Sequence, residues 1–126
     1  CDDIEIKKLD TGDYTLKGYE DLLVIEKKVS CAELAKNLYE ERFIRVLERM
    51  SQFKYKYMIC CFDFADIMSF PRNSGIPEKY WYKIKTNSGF LRKKILEFSV
   101  KYGINIIFAG NFGREAITEI FKSINE

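Results

Sequence analysis

The residues best able to do chemistry stand early in the chain. The stretch "LLVIEKK", Leu22 to Lys28, is apolar and then places one carboxylate and two ammonium groups, Glu26, Lys27 and Lys28, at its end. On a β-strand, residues i and i+2 share a face, so Glu26 and Lys28 stand side by side. Asp13 opens the preceding strand candidate. If the two strands pair around a turn at 17–21, residues whose numbers add to about 39–41 face each other, and Asp13 reaches the level of Glu26 to Lys28. Two carboxylates at one sheet edge are hard oxygen donors suited to Mg²⁺, which keeps several waters and also takes substrate phosphate. Such an ion lowers the pKa of a bound water and stabilises charge on a phosphate under attack. Lys28 can orient that water or neutralise the developing charge. The plain alternative is a solvated strand end with a surface Glu–Lys pair, and spacing alone does not separate the two.

Composition narrows the chemistry. The chain of 126 residues has no histidine, which excludes zinc–His sites, Ser-His-Asp triads and Cys-His pairs. Acid, base and metal work must come from Asp, Glu, Lys and Tyr. The four cysteines, Cys1, Cys31, Cys60 and Cys61, show no CxxC spacing and read as small buried thiols of a reduced, intracellular protein. No apolar run approaches the ~20 residues of a membrane span, and the polar start "CDDIEIKKLD" carries no signal-peptide core. A net charge of +2 means that any nucleic-acid surface is a local patch and not a global field.

The elements that must position these residues follow from periodicity. Segments 4–9, 13–16 and 22–27 read as strands, the last two joined by a turn in which Gly18 takes positive φ. Residues 30–50 read as one helix, with Ser30 and Glu33 as a capping box. Ala35, Leu38, Val46 and Met50 form its apolar stripe, with Tyr39 and Phe43 beside it. Residues 56–64 read as a central strand buried on both faces, and 69–79, with both prolines, as a loop. Residues 80–103 read as one or two helical pieces ending at Gly103, 104–110 as a further buried strand, and 114–124 as a closing helix. The expected fold class is α/β: a mixed central sheet, first an antiparallel hairpin and then parallel strands, flanked by helices in one domain over 1–126.

In its order of segments the chain resembles the nuclease domain of the XPF family, within the PD-(D/E)xK restriction-endonuclease-like superfamily. The resemblance rests on "LDTGDYTL", "LLVIEKKVSCAELAKNL" and "ERFIRVLERM", and on the later "LRKKILEFSVKYGINIIFAGN", which is similar to small phage-like members. The family motif is GD, a spacer, ERK, three residues and Asp. Here Gly12-Asp13 stands for GD, Glu26-Lys27-Lys28 for ERK, and Arg42-Phe43 matches an RF in the following helix. The chain departs from the pattern at Lys27, where the family has Arg, and at Ala32, where the motif ends in Asp and Glu33 is the neighbouring carboxylate. It also lacks the usual opening Asp-x-Arg-Glu-like segment, which implies a domain without its N-terminal strand.

The resemblance implies a restriction-endonuclease-like three-layer fold and a metal-dependent DNA endonuclease acting on branched, flap or junction DNA. It implies Asp13, Glu26 and the Lys27 backbone carbonyl as ligands of Mg²⁺ or Mn²⁺, and Lys28 as the catalytic lysine. Arg42 falls inside the expected apolar stripe. It is either a buried guanidinium paired with a structural carboxylate or one directed at the active-site carboxylates or a DNA phosphate. Arg45 and Arg49 lie nearer the rim as phosphate contacts or solvated charges. Lys83, Lys85, Arg92 and Lys93, interleaved with Tyr80, Trp81 and Tyr82, offer a basic and aromatic DNA surface, although the aromatics also suit a core and the lysines a solvated helix. Asp63 and Asp66 read as caps of the next turn or as a further acidic group near the site. Two other readings of the same fold remain: a catalytically inactive DNA-binding domain, and a homodimerisation module paired through Tyr80 to Tyr82 or the last helix.

Overall fold

A computed structural model describes residues 6–7 and 13–125. Cys1, Gly12 and most of the 4–9 strand candidate lie outside the described residues. The strands are β1 (Ile6–Lys7), β2 (Thr15–Leu16), β3 (Leu23–Lys28), β4 (Tyr55–Cys60) and β5 (Asn105–Phe108). The α-helices are α1 (Cys31–Asn37), α2 (Glu41–Met50), α3 (Phe64–Met68), α4 (Ser88–Tyr102) and α5 (Gly113–Asn125). Two 3₁₀ turns, Glu78–Lys83 and Gly110–Phe112, precede α4 and α5.

The strands form a two-stranded antiparallel sheet and a three-stranded parallel central sheet. β1 and β2 pair antiparallel, and β3, β4 and β5 run parallel in that order. A single antiparallel bridge, Tyr14 opposite Ile25, joins the β2 segment to β3. The register therefore falls within the expected range. Asp13 N–H and Tyr14 N–H both donate to the Ile25 carbonyl, at 2.9 and 3.0 Å, so two residues oppose one, as in a β-bulge. Gly18 turns the chain with φ 90°.

Strand parity sorts the side chains into two cores. Val24, Met58 and Cys60 face α1 to α4, where Leu34, Leu47, Ile67, Leu91 and Ile95 are fully buried. Leu23, Ile25 and Ile59 face α5, where they meet Ile117 and Phe121. Two crossovers on one face and a single helix on the other give a three-layer α/β domain, with Glu26 and Lys28 on the α1–α4 side of β3.

Three expectations are corrected. The helix of 30–50 is two helices, because the chain breaks at Leu38 to Glu40 and restarts with Glu40 extended at φ −106°, ψ 121°. The strand expected over 56–64 ends at Cys60: Asp63 caps α3 in a capping box with Asp66, which takes both carboxylates into helix-end hydrogen bonds. Cys31 and Cys60 are buried, but Cys61 is half-buried; all three are free thiols. The other boundaries hold closely, including Gly103 as the left-handed C-cap of α4 at φ 66°.

Candidate functional site

The C-terminal end of β3 gathers the charged residues of "IEKK". Glu26 and Lys28 are both buried, and Lys28 Nζ lies 3.0 Å from Glu26 Oε2. Lys28 Nζ also donates to Asn37 Oδ1 at 2.6 Å and sits 4.5 Å from the centre of the Phe43 ring. Asn37 Nδ2 in turn donates to Glu40 Oε1 at 2.6 Å. The ammonium is thus clamped between a carboxylate, an amide oxygen and an aromatic face, and these partners offset its removal from water.

Asp13 reaches the same strand end from the bulge. Its Oδ2 accepts the Lys27 backbone N–H at 2.7 Å. Burial raises the Glu26 carboxyl above its ordinary value of 4.5; the Lys28 charge pulls it back, and the nearby charge of Asp13 pushes it up again. Two mutually repelling carboxylates beside one lysine form an acidic pair that a divalent cation would neutralise. The donor set fits Mg²⁺ or Mn²⁺: hard carboxylate oxygens, two of them, as expected for an ion that keeps water and takes phosphate. Among the described residues no group of three acidic or thiol side chains converges as a denser metal cage. Glu33 is turned to the strand end, where its Oε1 accepts Val29 N–H at 2.8 Å, while the Ser30 hydroxyl caps α1 by accepting Glu33 N–H at 3.2 Å. Half of the expected capping box is therefore made: Ser30 caps Glu33 N–H, but the Glu33 arm takes Val29 N–H in place of Ser30 N–H.

Arg42 is not where the single-helix projection puts it. It is exposed, and the break at 38–40 is the reason: Ala35 and Leu38 do not share a helix with Val46. Within α2 the buried face is Phe43, Leu47 and Met50, whereas Arg42, Arg45 and Arg49 fall together on an outward stripe at about 100° per residue. Arg45 Nη1 lies 3.6 Å from Glu41 Oε2. Of the later basic residues, Lys83, Lys85 and Lys93 are exposed, and Arg92 is half-buried with Nη1 3.2 Å from Met68 Sδ. The aromatic triplet splits: Trp81 Nε1 donates to the Ile76 carbonyl at 2.9 Å, while Tyr80 and Tyr82 point outward, the latter 80% exposed. Lys83 lies over both tyrosine rings, at 5.6 and 5.7 Å.

Sequence reasoning missed Asn37 and Glu40. The available signal was Asn37 itself, a weak helix former in the middle of the supposed helix. Its side chain serves Lys28 and Glu40 at the point where the helix stops.

This arrangement, a parallel central sheet with a bulged antiparallel segment at its edge and helices on both faces, has an XPF-like fold. The chain is similar to the structure of XPF from Aeropyrum pernix, with a TM-score of 0.63 and 18% identity, covering 94% of this chain and 51% of that one. It is also similar to XPF from Aeropyrum pernix in complex with DNA, with a TM-score of 0.61 at the same identity and coverage. The chain thus spans about half the length of these solved structures. No protein-family model and no curated protein matches it. Among the described residues no helix is long and apolar enough to cross a membrane.

Proposed function

We propose that the protein is an intracellular, metal-dependent DNA endonuclease that hydrolyses phosphodiester bonds in branched, flap or junction DNA. The observation that carries this reading is the juxtaposition at the end of β3: Lys28 Nζ 3.0 Å from Glu26, with Asp13 brought to the same end by the hairpin bulge. Fold likeness to XPF, one structure of which is a DNA complex, supports DNA as the substrate class. Asp13, Glu26 and the Lys27 carbonyl would hold Mg²⁺ or Mn²⁺, which supplies an activated water and charge neutralisation at the phosphate. Glu26 works as a ligand in its ionised form. Lys28, held by Asn37 and Phe43, presents its ammonium to the attacking water or the phosphoryl oxygens. The Arg42, Arg45 and Arg49 stripe and the cations at Lys83, Lys85, Arg92 and Lys93 grip the backbone, with Tyr80 and Tyr82 available to unpaired bases.

The test is cleavage of forked DNA with Mg²⁺ or Mn²⁺. A Glu26→Ala, Lys28→Ala double variant is expected to lose roughly 10²-fold or more in rate. Equal cutting by wild type and variant would sink the reading.

A second reading has a specific observation behind it. Two of the three Lys28 N–H donors are already taken by Glu26 and Asn37, and the family motif's last acid is replaced at Ala32. On that reading the site is a structural ion pair in an inactive DNA-binding domain, or in one that dimerises through its outward tyrosines or last helix. DNA affinity would then survive Asp13→Asn, and no Mn²⁺ site would exist.

A further inference from the structure

Strand parity leaves Lys27 out of the site just described. Its side chain lies on the opposite face of β3, the α5 side, where a cavity of about 320 Å³ opens. The lining residues are Tyr14, Lys27, Arg114, Ile117 and Thr118. Two are cations, two carry hydroxyls and none is acidic. In a chain with 21 basic and 19 acidic residues, that is a strong local asymmetry. Among the described residues neither Lys27 nor Arg114 makes an ion pair, unlike Arg45, Lys94 and Lys122, each of which has a carboxylate within one turn of its own helix. The Thr118 hydroxyl is turned to the Arg114 carbonyl at 2.9 Å, which ties this wall of the cavity to the first turn of α5. Ile117, buried against the second core, forms an apolar floor.

We infer that this cavity is a seat for a backbone phosphate of the DNA strand, held by Lys27 and Arg114. The inference rests on the nuclease reading and extends it to how the strand is positioned. An arginine and a lysine lining one hollow that no acid lines match a phosphodiester oxyanion. Location selects DNA over a detached anion. Lys27 follows Glu26 directly, and its backbone N–H is the group that fixes Asp13. A strand whose scissile phosphate lies at Glu26 and Lys28 crosses the edge of β3 at Asp13, and a neighbouring phosphate reaches the α5 side. Lys27 then serves in two ways: its main chain orients the acidic pair and its side chain anchors the substrate beyond it.

The experiment is fluorescence anisotropy of a labelled forked DNA in EDTA across a salt series, with wild type, Lys27→Gln, Arg114→Gln, the double variant and, on the far end of α4, Lys101→Gln, a control matched in charge to each single variant. The double variant is expected to bind about tenfold more weakly, with the log–log salt slope reduced by about one, as for the loss of one phosphate contact. Lys101→Gln is expected to change neither. Unchanged affinity and slope in the double variant would overturn the inference, as would an equal loss in Lys101→Gln, which would reduce the effect to net charge. A third arm separates the ligand sources. If millimolar inorganic phosphate raises the melting temperature of wild type but not of Arg114→Gln, with DNA affinity unchanged, the cavity takes a free anion and the DNA assignment fails. These readouts need no cleavage, so they are distinct from the Glu26 and Lys28 test of the nuclease reading.

Discussion

At the scale of residues, the site depends on how a buried ammonium is satisfied. Lys28 is 4% exposed and has three partners, Glu26, Asn37 and the Phe43 ring, of which Asn37 is the uncharged hydrogen-bond acceptor. Removing an acceptor from a buried donor costs about 1–3 kcal/mol. Asn37→Ala is therefore expected to lower stability by about that amount in denaturant titration. It is also expected to lower kcat about tenfold, equivalent to 1.4 kcal/mol, with KM little changed, because Lys28 loses its aim and not its charge. Below Lys28 lies Cys60, its register partner on β4, whose thiol is pushed up by burial from 9.0 to about 12. The folded chain keeps that proton longer than the unfolded chain does. Below pH 9.0 the group has no effect on stability; as pH rises from there toward about 12, the unfolded state ionises first and stability falls. Wild type is expected to lose up to about 1.4 kcal/mol per pH unit more than Cys60→Ala in that window. Parallel stability–pH curves for the two proteins would contradict the buried, protonated thiol.

At the scale of elements, the strands were legible and the helix breaks were not. Alternation in "LLVIEKK" and the Gly18 turn located β3, its hairpin and the shared face of Glu26 and Lys28, because period-two parity is a local property of the backbone. The pairing of Tyr14 with Ile25 followed from the turn length. The break at 38–40 was hidden because apolar residues recur across it at spacings one helix would also produce. At the break Asn37 accepts a tertiary hydrogen bond from Lys28, and the local sign of it was Asn37 itself, a weak helix former. That single break moves Arg42 from the expected buried stripe to the surface. α3 was missed for a similar reason: "FDFAD" is apolar enough to extend a strand, and only the Asp63–Asp66 capping box fixes it as a helix start. On the other face, α5 approaches β4 through Gly113, where an added Cβ would lie 2.6 Å from Cys61 Sγ. Gly113→Ala must displace the half-buried Cys61 thiol, so it is expected to melt lower than the Gly113→Ala, Cys61→Ala double variant, in which that atom is gone. Equal melting temperatures for the two variants would show that the thiol does not crowd α5.

At the scale of the whole molecule, β3 is a divider. Its α1–α4 face carries the buried Glu26–Lys28 pair, its α5 face carries Lys27 above a cationic hollow, and Asp13 closes the edge between them. The molecule is nearly neutral overall, so the proposed hold on DNA would come from patches: the outward arginines of α2, the lysines around Tyr80 and Tyr82, and the hollow under Lys27. The net charge of +2, which leaves no global field, requires as much of that reading. The positions of the patches came only with the packing of α2 and α5. The central claim is that Asp13 and Glu26 jointly hold a divalent cation at the end of the hairpin. It is tested most directly by calorimetric titration of Mn²⁺ into wild type and Asp13→Asn. One saturable site in wild type, lost or greatly weakened in Asp13→Asn, is the expected result. No site in wild type, or a site that Asp13→Asn leaves intact, would contradict it.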